Sequence, residues 1–195
     1  IAKMVAEKIG YAYIDTGAMY RSVAWKFLQT GKEFDEDYIS MLANTMVIMF
    51  KPEASVNRVF VDDHEVTAFV SKVAAIGAVR EAMVDQQRRM GESGGVLMDG
   101  RDIGTVVFPN AQLKVFLTAT VDERAMRRYK ELIAKGQQVD LEQLKKDIAS
   151  RDKQDSERAI SPLRQAEDAV YLDTSDMSIN QVADYIEGLV KEREQ

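Results

Sequence analysis

The amino-acid sequence predicts an α/β protein in which a parallel β-sheet has helices on both faces. Four short apolar runs end in Asp or Thr, and a helical pattern follows each run. Such alternation is typical of β-α-β units, in which a helix links two parallel strands. The predicted strands are residues 11–15, 96–99, 113–118 and 170–174.

Apolar side chains spaced three or four residues apart predict helices around these strands. The second of these helices carries Met19, Val23 and Phe27 on one apolar stripe. Either Thr120 or Asp122 would serve as the N-cap of the third helix. The predicted helices are residues 1–8, 16–31, 123–135 and 179–194.

The pattern changes between residues 32 and 94, where we predict an inserted subdomain on the substrate side. Residues 45–50 and 58–62 alternate like antiparallel strands, and residues 71–90 have the pattern of one helix. Trp25, just before this segment, is predicted to lie in the core. The predicted core domain comprises residues 1–31 and 95–195, with a candidate hinge at residues 91–95.

The composition argues against several classes of protein. The 195 residues are 46% hydrophobic, which is enough for one α/β domain with an insertion. A net charge of -6 argues against a surface that binds nucleic-acid polymers. The chain has no cysteine and no apolar run near the roughly 18 residues of a membrane span, so we expect a soluble, cytoplasmic monomer.

The turn at residues 97–105 places two acids and an arginine around two glycines, directly after an apolar strand. Ligands of open α/β sheets bind outside the carboxyl ends of the strands, and glycine lets the backbone approach a ligand closely. Arg101 would grip a phosphate through its planar fork, and Asp99 stands where an aspartate helps to hold Mg²⁺ in phosphoryl-transfer enzymes. The alternative is a helix N-terminus with an incidental ion pair.

Charged residues also cluster at residues 151–158. In a helix, Arg151, Asp155 and Arg158 would lie on one face, which would suit an anionic ligand with several hydroxyl groups. The alternative is a solvated helix with weak i, i+4 ion pairs. A third cluster leaves the same two interpretations open, and it consists of Arg124, Arg127 and Arg128.

Three segments resemble signature blocks of the bacterial cytidylate kinases, in the same order and with matching spacing. They are residues 15–21, residues 98–107, and residues 151–158 with the following Ser161-Pro162-Leu163. The resemblance covers nearly the whole chain. It implies a P-loop nucleoside monophosphate kinase fold with a short helical lid at about residues 128–158. The implied reaction transfers a phosphoryl group from ATP to CMP or dCMP with Mg²⁺.

The resemblance also implies roles at the phosphate end of the site. Arg21, Arg101 and Arg158 would bind the acceptor phosphate and the charge that develops during transfer. Three guanidinium groups suit a loose transition state that depends on positioning and charge stabilisation. Asp99 would act on Mg²⁺ through its water shell. The donor nucleotide would be contacted by one of two lid arginines, Arg127 and Arg128.

The implied acceptor site has three parts. They are the pocket-lining Thr16 and Tyr20, the ribose-binding Arg151 and Asp155, and the base-reading Ser71, Arg80 and Asp102. In this scheme the Asp102 carboxylate accepts a hydrogen bond from the exocyclic amine of cytosine. The alternative is that Asp102 only orients Arg101 through an ion pair.

The chain departs from the family pattern in two places. The phosphate loop G-x-x-x-x-G-K-[ST] is not found, because Lys26 and Glu33 stand at two of its positions around Gly31-Lys32. The family's loop lies directly before the helix that begins here, so we expect it to precede this sequence. Residues 66–71 are also several residues shorter than in the family. Two alternatives remain open, namely a kinase for another small metabolite, and a non-catalytic nucleotide-binding module if the loop is absent.

Overall fold

The structure is a computed structural model that describes residues 1–50 and 63–195. The strands in these residues are β1 (Ala12–Asp15), β2 (Val96–Asp99), β3 (Val115–Thr118) and β4 (Val170–Asp173). The helices are α1 (Ala2–Ile9), α2 (Thr16–Leu28), α3 (Glu36–Thr45), α4 (Asp63–Ala74), α5 (Gly77–Gly91), α6 (Val121–Ala134), α7 (Leu141–Glu157) and α8 (Ile179–Glu194), and a π-helical turn covers Ile103–Val107.

The four predicted strands are present, each within two residues of its predicted bounds. β1 runs parallel to β2 with Asp15 opposite Asp99, and β3 runs parallel to β4 with Thr118 opposite Asp173. The sequence predicted one sheet, whereas the described residues form two parallel pairs with no ladder between them. The β1–β2 register places two strand-end carboxylates side by side.

The predicted helices 1–8, 16–31, 123–135 and 179–194 correspond to α1, α2, α6 and α8. Of the two candidate N-caps of α6, Thr120 is the one that accepts a hydrogen bond from the backbone N–H of Glu123. A capping box between Ser178 and Gln181 explains the sharp start of α8. In the described parts of the chain, every helix is too short or too polar to cross a bilayer.

Two apolar clusters hold the elements together. The larger one joins α2 to α3, α4 and α5, and it contains the predicted stripe of Met19, Val23 and Phe27. The smaller one packs α1 and α8 against β4 through Val5, Leu172 and neighbours. Because α2 leads directly out of β1, the larger cluster fixes the helices of the predicted insertion next to the end of β1.

The predicted helix 71–90 is wrong, because the chain forms α4 and α5 with a break between them. Ile76 has an extended backbone (φ -74°, ψ 118°), and α5 begins at Gly77. Glycine costs about 1 kcal/mol relative to alanine inside a helix, which favours a break there. The Arg80 guanidinium donates to the carbonyl of Ala74 at 2.9 Å and so stabilises the end of α4.

Two further expectations are wrong. Thr45 ends α3 instead of starting a strand, and the side-chain amide of Gln86 binds the backbone of Met46 and Ile48 where a strand partner was expected. The second predicted strand, residues 58–62, lies outside the described residues. Trp25 is 41% exposed, because the apolar stripe of α2 faces the core and Trp25 lies outside that stripe.

Candidate functional site

A cavity of about 300 Å³ lies at the carboxyl ends of β1 and β2, where ligands of parallel sheets bind. Its wall is formed by the start of α2, by α4 and α5, by the turn after β2 and by the end of α7. The residues predicted for catalysis or acceptor binding all line it: Thr16, Tyr20, Arg21, Ser71, Arg80, Asp99, Arg101, Asp102, Arg151, Asp155 and Arg158.

Asp155 organises the arginines at one end of the cavity. Its carboxylate accepts from Arg101 Nε at 2.8 Å and pairs with Arg158 Nη1 at 3.6 Å. These contacts hold the two guanidinium groups in place. Each contact uses one nitrogen of its arginine, so other N–H groups of Arg101 and Arg158 do not bind Asp155. Arg21 is held separately by Asp15, with Nη2 2.8 Å from the carboxylate.

Arg151 and Arg158 show that this end is prepared for an anion. Among the described residues, Arg151 Nε and Arg158 Nη2 are buried without a hydrogen-bond partner. Burial lowers the pKa of both guanidinium groups, and the neighbouring charges of Arg101 and Arg80 lower it further. Unpaired buried donors are relieved by a ligand that accepts hydrogen bonds, and a bound phosphate would also offset the unbalanced positive charge.

The same cavity contains a buried ion pair between α5 and the turn after β2. Arg80 Nη2 lies 2.7 Å from Asp102 Oδ2, and both side chains are under 5% exposed. The Arg80 guanidinium lies 4.9 Å from the centre of the Tyr20 ring. The alternative in which Asp102 orients Arg101 is therefore wrong, because Asp102 pairs with Arg80 and Arg101 pairs with Asp155.

Asp99 also lines the cavity, at the end of β2. The Tyr13 hydroxyl donates to its carboxylate at 3.0 Å, and the Thr16 hydroxyl donates to its carbonyl at 2.6 Å. Burial raises the pKa of the Asp99 carboxyl, and the adjacent Asp15 carboxylate adds to the increase. The Asp99 carboxylate, whose negative charge is disfavoured by burial, is suited to attract a cation.

The sequence reasoning missed five residues of the cavity wall, namely Asp15, Gly17, Val70, Ala74 and Gly100. Asp15 had a usable signal, because it ends a predicted strand just as Asp99 does. Val70 and Ala74 had none, since their position depends on the break between α4 and α5.

Gly100 allows the close approach of the β2 turn to α2. A Cβ at this position would lie 2.4 Å from Thr16 Oγ1 and would disturb the hydrogen bond from this hydroxyl to the Asp99 carbonyl. We expect Gly100→Ala to reduce the free energy of unfolding by about 1–3 kcal/mol through overpacking. Gly188→Ala in α8 is the matched control, because nothing lies within 4 Å of that site, and it should stabilise by roughly 0.5–1 kcal/mol. Urea unfolding of both variants checks this, and equal shifts would contradict it.

The arginines of α6 lie away from the cavity. Arg127 donates to Glu123 and to the Thr174 carbonyl, so it joins α6 to the end of β4. Arg128 pairs with Glu131 at 2.9 Å on the surface. Their contact with a donor nucleotide stays a prediction. In the same cluster Arg124 has a structural contact, because it grips Asp152 with two hydrogen bonds and joins α6 to α7.

Comparison with known proteins identifies the family. The family model described as cytidylate kinase matches residues 1–192. A protein named cytidylate kinase from Streptococcus pneumoniae (strain 70585) is 49% identical over 99% of this chain and 92% of its own length. Those of strains Hungary19A-6 and D39 are each 48% identical with the same coverage. The chain therefore belongs to the cytidylate kinase family.

Proposed function

We infer that this chain transfers the γ-phosphoryl group of ATP to CMP, forming ADP and CDP, and that it accepts dCMP as well. Family membership supports the reaction, and the cavity supports the acceptor. The observation that carries the proposal is one cavity that is lined both by buried, unpaired arginine donors and by the buried Arg80–Asp102 pair. A nucleoside monophosphate needs both kinds of partner, because it has an anionic phosphate and a hydrogen-bonding base edge.

The phosphate of CMP lies among Arg21, Arg101 and Arg158 in this proposal. Phosphoryl transfer needs reactants held in line and the charge on the transferred group stabilised, with little covalent work by the protein. Asp155 contributes by fixing Arg101 and Arg158 before the substrate arrives. A preorganised cation needs no reorientation during the reaction, which is the main advantage of such a site.

Arg151 and Asp155 bind the ribose. A carboxylate has about four lone-pair sites, so Asp155 can still accept from sugar hydroxyls while it holds its arginines. Arg151 lies on the same face of α7 as Asp155, and its unpaired Nε can donate to a hydroxyl oxygen of the ribose. Neither contact requires a particular 2′ substituent, which is the basis for including dCMP.

In this proposal cytosine lies beside the buried Arg80–Asp102 pair and Ser71. Cytosine presents an amine where uracil presents a carbonyl oxygen, and a carboxylate accepts from the first and repels the second. Arg80 keeps Asp102 in place at 2.7 Å and stabilises its negative charge. Its own Nε has no partner in the described part of the chain and is free to donate to the base.

The residues present fit Mg²⁺ bound together with nucleotide phosphates. No cluster of three acidic or histidine side chains exists in the described residues, so the protein alone does not form a metal cage. Mg²⁺ commonly keeps several waters and takes one or two carboxylates plus phosphate oxygens. Asp99 and its neighbour Asp15 would hold the ion through water, and its charge would offset that of the phosphates.

Asp99→Asn tests this role through pH and stability together. A carboxyl whose pKa is raised on folding binds its proton more tightly in the native state, so stability falls as pH rises from about 4 through the folded pKa. We expect the variant to melt at a higher temperature at pH 7 without nucleotide, to lose this gain below about pH 4, and to have a lower kcat. Melting curves from pH 3 to 8 check this, and a lower melting temperature at pH 7 would contradict it. Asp184→Asn on the surface is the control.

A monomeric enzyme in the cytoplasm is also part of the proposal. The absence of cysteine from the 195 residues supports a reducing compartment. Light scattering on the purified protein measures the oligomeric state.

The central experiment measures ADP release by the full-length enzyme with CMP, dCMP, UMP and AMP as acceptors. We expect kcat/KM to be highest for CMP and dCMP. Equal or better use of UMP or AMP would overturn the acceptor assignment. ATP turnover that is independent of every acceptor would overturn the kinase assignment.

A further inference from the structure

Gln87 is a buried polar residue that the reaction scheme does not use. It lies on α5 with 0% exposure, inside the apolar layer formed with α2. Neither Oε1 nor Nε2 of its amide has a hydrogen-bond partner among the described residues. Buried amides are normally paired, so two unpaired atoms on one buried side chain require an explanation.

The hydroxyl of Tyr20 is the facing group. It is also buried without a hydrogen-bond partner in the described structure, and the Tyr20 side chain lines the acceptor cavity. Burial raises the pKa of Tyr20 to about 12. Gln87 is among the neighbouring groups that limit this increase. The hydroxyl and the amide are thus two buried, unpaired groups that influence one another.

Tyr20 separates Gln87 from the base-reading pair. Arg80 and Gln87 are seven residues apart on α5, which places them two turns apart on one helix face. The Arg80 guanidinium lies against the Tyr20 ring at 4.9 Å, and it also holds Asp102 at 2.7 Å. A shift of the ring would therefore move the guanidinium that fixes Asp102.

We propose that Gln87 is a positioning residue for the acceptor site: its amide binds the Tyr20 hydroxyl when nucleotide is present and so sets the ring that supports Arg80. The inference rests on the proposed function. A neutral amide suits this place because it can either donate or accept a hydrogen bond. A charged side chain of either sign would meet a like charge there, from Arg80 and Arg158 or from Asp102.

Gln87→Met tests the proposal, because methionine keeps the length and removes the amide. We expect the KM for CMP to rise about three- to tenfold, the range of one neutral hydrogen bond, with kcat and the KM for ATP within about twofold. The melting temperature should stay equal or rise, because an unpaired buried amide is replaced by an apolar group. A residue that only packs would show no change in the KM for CMP.

Gln86→Met is the matched control on the neighbouring position. Gln86 donates to the Met46 carbonyl at 3.0 Å and accepts from the Ile48 N–H, away from the acceptor cavity. This variant should lower the melting temperature and leave the KM for CMP unchanged. The two glutamines thus separate loss of stability from loss of acceptor binding.

A double-mutant cycle with Tyr20→Phe tests whether Gln87 acts through the hydroxyl. We expect Tyr20→Phe to raise the KM for CMP to a similar extent, and the double variant to be no worse than either single variant. The proposal would be overturned if the KM increases of the two single variants multiplied in the double variant. An unchanged KM for CMP in Tyr20→Phe would also overturn it, even if Gln87→Met failed to fold.

Calorimetric titration of CMP into the same proteins separates this inference from the proposed function. Wild-type protein that binds and phosphorylates CMP, together with an unaffected Gln87→Met, overturns only the role of Gln87. Wild-type protein that binds CMP without transfer overturns the reaction, and the affinity ratios still decide the role of Gln87. Wild-type protein that does not bind CMP overturns both.

Discussion

Arg101→Lys is expected to lower kcat/KM for CMP by about 10- to 100-fold, which corresponds to the loss of one or two hydrogen bonds between charged groups. Arg101 uses Nε to bind Asp155 at 2.8 Å, and its terminal nitrogens remain for the phosphate. A lysine has one ammonium group, so it can satisfy either the carboxylate or the phosphate but cannot reproduce the planar fork.

The fold should survive this change. The Arg101 side chain is 41% exposed, and ion pairs at such sites contribute little to stability, about 0–1 kcal/mol. Arg193→Lys in the exposed last turn of α8 is the matched control and should keep full activity. Steady-state kinetics and melting curves of both variants check the prediction. Turnover within about twofold of wild type in Arg101→Lys would remove it from the phosphate site.

Asp102→Asn is expected to narrow the preference for CMP over UMP by about 10- to 100-fold, because a base-edge contact contributes roughly 1–3 kcal/mol of discrimination. An asparagine amide presents an N–H₂ group as well as a carbonyl oxygen, so it no longer repels the oxygen of uracil. The loss in kcat/KM should therefore be larger for CMP than for UMP.

Asparagine is preferred to alanine here because Asp102 forms the buried pair with Arg80. Removing one partner of a buried ion pair typically costs about 3–5 kcal/mol, and the shape and acceptor oxygen of asparagine reduce that loss. Assays run well below the melting temperature of the variant keep folding out of the comparison. Equal losses for CMP and UMP would show that Asp102 only holds Arg80 and does not read the base.

Sequence reasoning was most successful where the signal is local. The stripe of Met19, Val23 and Phe27 predicted a buried face of α2, and all three side chains are at most 2% exposed. The spacing of Arg151, Asp155 and Arg158 predicted one helix face. Arg151 and Asp155 lie on α7, whereas Arg158 follows the end of α7 with an extended backbone, and all three line the same cavity. Helical periodicity depends on neighbours within two turns, so it is visible in the sequence.

The same reasoning failed where side-chain contacts outside the apolar pattern decide the conformation. Gly77 was a local signal for the break at Ile76, but no pattern announces that the Arg80 side chain will bind the end of α4. The helix break that results is what brings Ser71 and Arg80 to one cavity. Likewise, Gln86 replaces a strand partner for Met46 and Ile48, a contact about 40 residues away along the chain.

By itself, the sequence determined the strands and half of the helices, and it placed acids and arginines at the strand ends, because apolar periodicity and strand-end position are short-range properties. The tertiary structure alone decided which charges pair. Arg101 pairs with Asp155 and Arg80 with Asp102, at sequence separations of 54 and 22 residues. It also decided that the Gln87 amide is buried against Tyr20. Ion pairing and burial depend on how α2, α5 and α7 pack together, and this packing brings together residues that no short segment of sequence contains.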